Sequence, residues 1–407
     1  MIAATLREAR TIRERCANIT AAVDAGNSAH FSIDRKALSA AAEIVVATTR
    51  ERYPDGRIPF HSRWRHFEAG GINRIDELQT RLAETFGTPS KVEIARAHID
   101  LTVISVLLDG GAGAQWQFHE SRTKQDFSRS EGLGVASFRA FMAGAFSSRP
   151  DDPCRVDGSA LQKIDANRLA HVFQAHEDNP LIGLEQRATL LNRLGDALLR
   201  DAFRFGPEGR PGEIFFRLTD KARRTELPAA DLLHALLVGF ADVWMTGNQL
   251  DGSSLGDCWQ HPHAGGTGES AGWVPFHKLT QWLTYSLIEP FAQGGVTLQG
   301  LDDLTGLPEY RNGGLLIDTG VITLRDPGLA SMPMTPGDQA IIEWRALTVS
   351  LLDDLAPIVR EMLALSAAEL PLACILEGGT WAAGRVLASR RRGGQPPLTL
   401  VSDGTVF

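Results

Sequence analysis

Apolar residues recur at spacings of three and four over most long segments of the chain, which is the pattern of a helix that buries one face. The clearest example is the segment 181–200, whose apolar stripe consists of Leu184, Ala188, Leu191, Leu194 and Leu198. Polar side chains such as Arg187 and Asp196 lie away from that stripe. The pattern predicts an amphipathic helix over this segment.

Two further helices are predicted over 275–289 and 338–364, where the same spacing continues. Proline fits the first turn of a helix but breaks its interior, because it lacks an N–H group and clashes with the preceding turn. Pro275 is therefore expected to open the first of these helices and Pro290 to stop it. Pro357 is expected to interrupt the second helix.

Strand-like segments are few in this sequence. The apolar runs 102–108 and 314–324 are short, and their spacing does not distinguish a strand from a buried helix. Strand and helix patterns do not alternate regularly, so a doubly wound parallel sheet is not predicted. We therefore expect a mainly α fold with long loops and a few short strands.

Two stretches rich in glycine, proline or polar residues are candidates for loops that organise the chain. The stretch 147–158 is the best candidate for a boundary between an N-terminal helical part, 1–150, and a C-terminal helical part, 151–407. The two parts are expected to share one site, and a single domain is the alternative. The glycine-rich stretch 247–272 is longer than an ordinary connection, which fits either a mobile substrate lid or a surface insertion.

Composition and charge narrow the functional classes. The chain has 407 residues, of which 43% are hydrophobic and 22% charged, the profile of a globular protein with a sizeable core. A net charge of −8 argues against a nucleic-acid partner that is bound through its phosphates. The sequence has neither an apolar run of membrane-spanning length nor the apolar region of a signal peptide. We therefore expect a cytoplasmic protein that binds no membrane.

No cofactor motif is evident in the sequence. The glycine clusters at 110–113 and 265–268 lack the spacing of dinucleotide-binding and phosphate-binding loops. Cys258, His261 and His263 offer zinc-type ligands, but no further ligand stands at a suitable spacing, and a flexible polar loop is the alternative. We predict neither a metal nor an organic cofactor.

Arginines and histidines are concentrated in the segment 57–71, which contains Arg57, His61, Arg63 and Arg65. An arginine fork can bind a phosphate or a carboxylate through two parallel hydrogen bonds. This cluster therefore predicts a site for an anionic ligand. The alternative is a network of arginines that pair with buried acids.

Two further groups of polar residues are candidates for ligand contacts. Asp109 follows an apolar run and precedes several glycines and Trp116, so it could orient a sugar hydroxyl while the indole covers an apolar face of the ligand. A turn cap is the alternative for Asp109. His277 and Gln281 share a helix face with Lys278 beside them, and solvent exposure is the alternative for this group.

Two acid-containing clusters lie in the last third of the chain. Glu309, Tyr310 and Arg311 place an acid, a phenol and a guanidinium side by side before an apolar segment. A carboxylate in such a place can polarise a water molecule or stabilise positive charge. Glu343 and Arg345 lie near the start of the last predicted helix, and Glu343 is expected to be paired because it borders the apolar face.

Several of these clusters, taken together and in order, resemble the uracil-catabolism protein four family. The resemblance is carried by RIPFHSRWRHFEAGG at 57–71, LLDGGAG at 107–113, VPFHKLTQWLTYSLIEPF at 274–291, TGLPEYRNGGLLIDTGV at 305–321 and EWRALTV at 343–349. It covers essentially the whole chain. It implies a role in breaking down uracil through ribosylated intermediates, and it implies no particular reaction.

A weaker resemblance, to the queuosine salvage family, suggests the chemistry. Members of that family hydrolyse the N-glycosidic bond of a modified purine nucleoside 5′-phosphate and have an all-helical fold related to DNA glycosylases. The similar segments here are 109–116, 180–192, 276–281, 309–311 and 343–345. The resemblance implies a helical body of the DNA-glycosylase type.

The sequence departs from that second family at two positions of interest. Glu309 stands where the family has Asp, and His277 stands where it has Tyr. The longer Glu side chain moves the carboxylate by one methylene, so the geometry of the substrate must differ.

The two resemblances together imply an N-ribosyl hydrolase that cleaves a ribosylated urea or a ring-opened uracil nucleotide to ribose 5-phosphate and a urea-like product. Glu309 would stabilise the charge that develops on the ribose and deprotonate the attacking water, and Lys278 would hold a ribose hydroxyl or assist the leaving group. The residues expected to contact this small phosphorylated substrate are Asp109, Trp116, His277, Gln281, Tyr310, Arg311, Glu343, Arg345, Arg57, His61, Arg63 and Arg65. The phosphate is assigned to Arg311, Arg345 or the arginines of 57–65.

Two other functional classes stay open at the level of sequence. A metal-dependent amidohydrolase or deaminase of the same pathway would need a metal or a Cys or Ser nucleophile, for which the sequence offers only the loop from Cys258 to His263. A non-catalytic protein that binds a pathway intermediate would show stabilisation by its ligand without turnover.

Overall fold

The structure is a computed structural model that describes residues 2–220 and 223–401. Its α-helices are α1 (Ile2–Thr5), α2 (Ala9–Asp24), α3 (Leu38–Arg52), α4 (Trp64–Phe67), α5 (Arg74–Phe86), α6 (Lys91–Leu107), α7 (Arg129–Met142), α8 (Gly158–Leu161), α9 (Ala166–Val172), α10 (Leu184–Arg200), α11 (Ala202–Phe205), α12 (Glu213–Leu218), α13 (Ala229–Gly239), α14 (Lys278–Ser286), α15 (Ile288–Gln293), α16 (Tyr310–Asp318), α17 (Gln339–Leu363), α18 (Leu372–Ile375) and α19 (Trp381–Arg392). A π-helical turn, Leu376–Thr380, joins α18 to α19.

The strands are short and form only two-stranded pairs within the described residues. They are β1 (Phe31–Ile33), β2 (Gln117–Glu120), β3 (Gln125–Ser128), β4 (Glu226–Pro228), β5 (Gln249–Leu250), β6 (Ser253–Ser254), β7 (Cys258–Gln260), β8 (Trp273–Pro275), β9 (Thr297–Gln299) and β10 (Ile322–Leu324). The pairs β1–β10, β2–β3, β5–β6 and β7–β8 are antiparallel, and β4–β9 is parallel. The mainly α fold predicted from the sequence is confirmed.

The chain divides into two compact units, each assembled from separate stretches of sequence. Among the described residues, the first unit comprises 2–61, Asn248–Gln281 and 300–401, and the second comprises Ser62–Gly247 and Trp282–Gln299. The division into an N-terminal and a C-terminal part near residue 150, with a shared site, stays a prediction.

The first unit is built around the long helix α17, which packs against α2, α3 and α16. Its core includes Ile12 and Ile19 from α2, Phe276 from the segment before α14, and Ile342 and Val349 from α17. Helix α16 in turn packs along α19. A side chain at Gly384 would meet the carbonyl oxygen of Arg311, so this glycine permits the close approach of the two helices.

The second unit has α6 at its centre, in contact with α7, α12 and α15. Every residue of α6 from His98 to Leu107 is buried, which explains why the apolar run 102–108 carries no one-sided pattern. Helix α10 packs against α8 and α9, and it begins at Leu184, within the segment 181–200 for which a helix was predicted.

The prolines behave differently from the expectation. Pro275 ends β8, so it does not open a helix, and α14 begins three residues later at Lys278. Pro290 lies in the first turn of α15, where its missing N–H costs no helical hydrogen bond. Pro357 lies inside α17, which continues to Leu363. The prediction of a break there is wrong because α17 packs against α2, α3 and α16 and has buried residues on both sides of Pro357, and this packing outweighs the roughly 3 kcal/mol cost of an interior proline.

The stretch 247–272 also has more structure than a loop. It contains β5, β6 and β7, followed by the 3₁₀ turn Gly268–Ser270. None of the described helices combines the length and the apolar character that a membrane crossing requires.

Candidate active site

Glu309 occupies the N-cap of α16, immediately before the first residue of the helix. Its Oε2 accepts a hydrogen bond of 2.7 Å from the backbone N–H of Arg311, and its Oε1 accepts one of 2.5 Å from the backbone N–H of Asn312. The first backbone N–H groups of a helix lack partners within the helix and attract negative charge. The carboxylate is therefore fixed through both of its oxygens. Each oxygen has a second lone pair with which it can accept a further hydrogen bond or a proton.

The electrostatic surroundings of Glu309 make it more basic than an ordinary glutamate. Burial raises the pKa of the carboxyl group, and the two backbone hydrogen bonds and the charges of Lys278 and His61 oppose that effect without cancelling it. Lys278 and His61 thus lie within electrostatic range of Glu309 in the first unit. A more basic carboxylate accepts a proton from water more readily, as a general base must.

Lys278 is placed at the start of α14 by a tight turn. His277, just before it, has a left-handed backbone conformation with φ of 47°. The backbone N–H of Lys278 donates to Oδ2 of Asp257 at 3.0 Å, and the N–H of Phe276 donates to the backbone carbonyl of Asp257 at 2.9 Å. Asp257 therefore determines where this helix begins.

The His277 ring is buried and contacts the N-terminal segment. Its Nε2 lies 2.8 Å from the carbonyl oxygen of Leu6 and 3.6 Å from Sγ of Cys258. Burial lowers the pKa of the imidazole, so the ring is neutral at pH 7 and donates Nε2–H to Leu6. The His277 side chain therefore links the start of α14 to the N-terminal segment.

Arg345 and Asp257 form a buried pair with two hydrogen bonds of 2.7 Å. The guanidinium also lies over the ring of Phe276, 4.1 Å from its centroid. Burial raises the pKa of Asp257, but Arg345 outweighs that effect and the pKa is lowered. Because Asp257 engages both Nη atoms of Arg345, a phosphate that bound this fork through two parallel hydrogen bonds would compete with the carboxylate.

Two buried amide oxygens near the start of α16 have no hydrogen-bond partner in the part of the chain that the structure describes. Gln281 donates from Nε2 to Oγ1 of Thr305 at 2.7 Å and leaves Oε1 unused. Asn312 donates from Nδ2 to the carbonyl of Leu307 at 3.1 Å and leaves Oδ1 unused. Such acceptors fit the N–H or O–H groups of a ligand, since a buried polar atom is costly when it stays unbonded.

The neighbours of Glu309 in sequence differ in their exposure. Tyr310 is 37% exposed, whereas Arg311 is buried and lies over the Tyr310 ring at 4.7 Å. Nη1 of Arg311 donates to the carbonyl of Gly394 at 3.1 Å. The phenol is therefore accessible to a ligand, and the guanidinium holds the segment after α19.

The π-helical turn supplies an acid that was not among the sequence candidates. Oε2 of Glu377 lies 2.8 Å from Nδ1 of His61, and its Oε1 accepts from Nη2 of Arg52 at 2.8 Å and from the hydroxyl of Tyr53 at 2.9 Å. Single π-helical turns are rare and frequently occur at functional sites. The signal in the sequence is an acid followed by two glycines, Gly378 and Gly379, inside an otherwise apolar stretch.

The surroundings of Glu377 predict a specific acid sensitivity. Burial raises the pKa of the carboxyl group, but the bonds from His61 and Arg52 outweigh it and hold the pKa at about 2. Because the ordinary value is 4.5, the group contributes stability that is fully present above pH 4.5 and is lost as the pH falls toward 2. The contribution amounts to about 3 kcal/mol. Glu377→Gln should therefore unfold with a flatter pH dependence over that window, measured by urea titration at each pH.

An exposed glutamate provides the control for that measurement. Glu84 pairs with Arg81 on the surface, and Glu84→Gln should leave the pH dependence of unfolding as it is in the wild type. An unchanged dependence in Glu377→Gln would contradict the role of the Glu377 carboxylate in stability.

Glu343 is buried near the start of α17. Nε2 of His261 lies 4.0 Å from Oε2 of Glu343, and burial lowers the pKa of His261 to about 4, so that ring is neutral at pH 7. Burial raises the pKa of Glu343. Because the adjacent histidine carries no charge at pH 7, His261 does not form an ion pair with Glu343 at that pH, and the pairing expected for Glu343 stays a prediction.

The loop from Cys258 to His263 was the candidate for a metal or a nucleophile. No group of three His, Cys, Asp or Glu among the described residues is placed to hold a metal ion. Cys258 is fully buried, and burial raises the pKa of its thiol well above the ordinary value. A reactive cysteine needs the opposite, a lowered pKa and access to solvent.

The remaining candidates of the segment 57–71 differ in their contacts. Arg57 is exposed and belongs to the first unit. Arg63 is fully buried in the second unit, where it donates to Oγ of Ser105 at 2.6 Å and to Asp109 at 2.7 Å. Arg65 donates to Glu289 at 2.7 Å. Arg63 and Arg65 thus each pair with a partly buried acid, Asp109 and Glu289 respectively.

Asp109 and Trp116 also lie in the second unit. Asp109 accepts hydrogen bonds of 2.9 Å from the hydroxyl of Ser130 at both carboxylate oxygens, in addition to the pair with Arg63. Trp116 is fully buried, and its indole N–H donates to the carbonyl of Phe173 at 3.0 Å. The described contacts of both side chains are thus with the protein core.

Comparisons with known proteins place this geometry in context. Residues 5–407 match the family described as "Protein of unknown function (DUF1688)". The chain is similar to "Protein urg3" of Schizosaccharomyces pombe, with 38% identity over 411 residues that cover 99% of this chain and 98% of that protein. It is also similar to "Uracil catabolism protein 4" of Lachancea kluyveri, with 38% identity over 414 residues that cover 94% of this chain and 93% of that protein.

Proposed function

The chain belongs to the DUF1688 family, and on that premise we propose that it takes part in uracil catabolism as an N-ribosyl hydrolase. The proposed substrate is a ribosylated urea or a ring-opened uracil nucleotide. The products are ribose 5-phosphate and a urea-like fragment. The name of the Lachancea kluyveri relative, "Uracil catabolism protein 4", supports the pathway, and the site around Glu309 supports the reaction.

The observation that carries the proposal is the fixed carboxylate of Glu309, whose pKa is raised. When the bond between the ribose C1′ and the nitrogen breaks, positive charge develops on the ribose ring. A carboxylate that is already oriented stabilises this charge without reorganisation and takes a proton from the attacking water. The hydrogen bonds to α16 keep Glu309 in one orientation for this task.

The surrounding groups support a polar leaving group of the urea type. Urea and its derivatives carry several N–H donors, and the unused oxygens of Gln281 and Asn312 are acceptors. Lys278 is within electrostatic range of Glu309 and would hold a ribose hydroxyl. Since Asp257 occupies Arg345, we assign the 5′-phosphate to Arg57 or Arg311 of the same unit.

The test is a hydrolysis assay with the purified protein. Ribosylurea 5′-phosphate and UMP are each incubated with it, and the release of a reducing sugar is measured. We expect release from the ribosylurea derivative and none from UMP. Release from neither substrate by folded protein would refute the proposal, and stabilisation by the ribosylurea derivative without turnover would favour a binding protein instead.

A further inference from the structure

His61 and Glu377 form a buried acid–histidine pair within electrostatic range of the proposed catalytic carboxylate of Glu309. Nδ1 of His61 lies 2.8 Å from Oε2 of Glu377, and both side chains are largely buried. A carboxylate accepts hydrogen bonds and cannot donate one, so Nδ1 carries the hydrogen. In this tautomer Nε2 is the basic nitrogen, the one that takes up or gives away the second proton, as in the histidine of acid–base dyads and triads.

The pair is fixed from several sides. The backbone N–H of His61 donates to the carbonyl of Ala373 at 2.9 Å, and the second oxygen of Glu377 is held by Arg52 and Tyr53. The Trp381 ring lies 6.1 Å from the His61 ring. A side chain at Gly379 would meet the carbonyl of Val45 at 2.5 Å, so the glycines of the π-helical turn let Glu377 approach this position. The charge of His61 acts on Glu309, which lies in the same unit.

We propose that His61 is the general acid of the ribosyl hydrolase and that Glu377 is its positioning residue. The inference rests on the proposed function, and it assigns a proton donor that the cleavage of a urea leaving group requires. Urea is a poor leaving group as an anion, so its nitrogen must receive a proton as the bond breaks. Glu377 holds the imidazole in one orientation and stabilises its protonated form.

The proton balance of the reaction is complete with these groups. The bond between C1′ and nitrogen breaks, its electron pair goes to the nitrogen, and the Nε2 proton of the His61 imidazolium moves to that nitrogen. A water oxygen bonds to C1′, and its proton passes to Glu309. Glu309 then returns a proton to His61 through solvent, so one water is consumed and no oxidant, reductant or metal enters the balance.

The proposal predicts that the cost of removing His61 depends on the leaving group. His61→Asn keeps a donor to Glu377 but removes the acid. It should lower kcat/KM for ribosylurea 5′-phosphate by about 100-fold or more. For 4-nitrophenyl riboside 5-phosphate, whose phenolate leaves without a proton, the loss should be less than about 10-fold. Glu309→Gln should instead lower the rates of both substrates, because both develop charge on the ribose.

A surface pair with the same bond length is the matched control. Nδ1 of His119 lies 2.8 Å from Oδ1 of Asp126, but both side chains are exposed in the second unit. His119→Asn should leave both substrates unaffected. Glu377→Gln should also lower the rate more for ribosylurea 5′-phosphate than for the nitrophenyl substrate, by a smaller factor than His61→Asn. If Glu377 were purely structural, both substrates would lose equally.

A spectroscopic measurement tests the pair without turnover. In protein labelled with ¹⁵N-histidine, neutral His61 should show hydrogen on Nδ1, and Glu377→Gln should change that tautomer signal. Equal losses for both substrates in His61→Asn, or a hydrogen on Nε2 of the neutral ring, would overturn the assignment of His61. If the wild-type protein cleaves neither substrate, the proposed ribosyl hydrolase function is refuted, and the assignment of His61 falls with it.

Discussion

Glu309→Gln is expected to lower kcat for ribosylurea 5′-phosphate by about 100- to 1,000-fold, the range found when one preorganised group that stabilises charge is removed. The amide has nearly the shape of the carboxylate, but it carries no charge and cannot take a proton from water. KM should change little, because the lost interaction is made mainly with the transition state. The measurement is steady-state kinetics with the release of ribose 5-phosphate as the signal.

The capping role of Glu309 requires a control for stability. The amide can accept only one of the two hydrogen bonds at the start of α16, so a loss of about 0.5–2 kcal/mol in stability is expected as well. Asp165 caps α9 in the second unit by accepting from the backbone N–H of Arg168, and Asp165→Ala should lose similar stability with normal kcat. If Glu309→Gln kept a kcat near that of the wild type, Glu309 would have no catalytic role.

Arg345→Met is expected to lower the free energy of unfolding by about 3–5 kcal/mol, because it leaves the buried carboxylate of Asp257 without its partner. Asp257 also accepts from the backbone N–H of Lys278, so the start of α14 should be disturbed too. The measurement is equilibrium unfolding in urea.

The matched control is the exposed pair of Arg10 and Glu8, whose N–O distance is 2.6 Å. Arg10→Met should cost at most about 1 kcal/mol, because solvent screens an exposed pair. A similarly small loss for Arg345→Met would mean that the pair with Asp257 does not support the fold. A large loss of unfolding free energy in both variants would mean that the introduced methionine, rather than the lost ion pair, destabilises the protein.

The helices could be predicted from the sequence wherever one face is apolar and the other polar. The helical spacing of apolar residues over 181–200 and 338–364 predicted the ends of α10 and α17 to within a few residues. It could not give α6, whose buried surface extends around the whole helix and leaves no one-sided pattern. The prediction for Pro357 failed because a local rule cannot include the neighbouring helices that hold α17.

The residues of the candidate site were predictable only in part. Glu309 and Lys278 stood out through the acid–Tyr–Arg cluster and through the resemblance to a nucleotide N-glycosidase family. Glu377 was missed because its partner His61 is 316 positions away in sequence, and no local spacing reports such a pair. Asp257 was missed for the same reason, since its partner Arg345 is 88 positions away.

The most direct measurement of the central claim is a crystal structure of the protein with ribose 5-phosphate bound. We predict that the anomeric carbon lies about 3–3.5 Å from a carboxylate oxygen of Glu309, the distance of a group that is ready to act. Electron density for the sugar phosphate at a place remote from Glu309, with nothing but solvent against that carboxylate, would contradict the account.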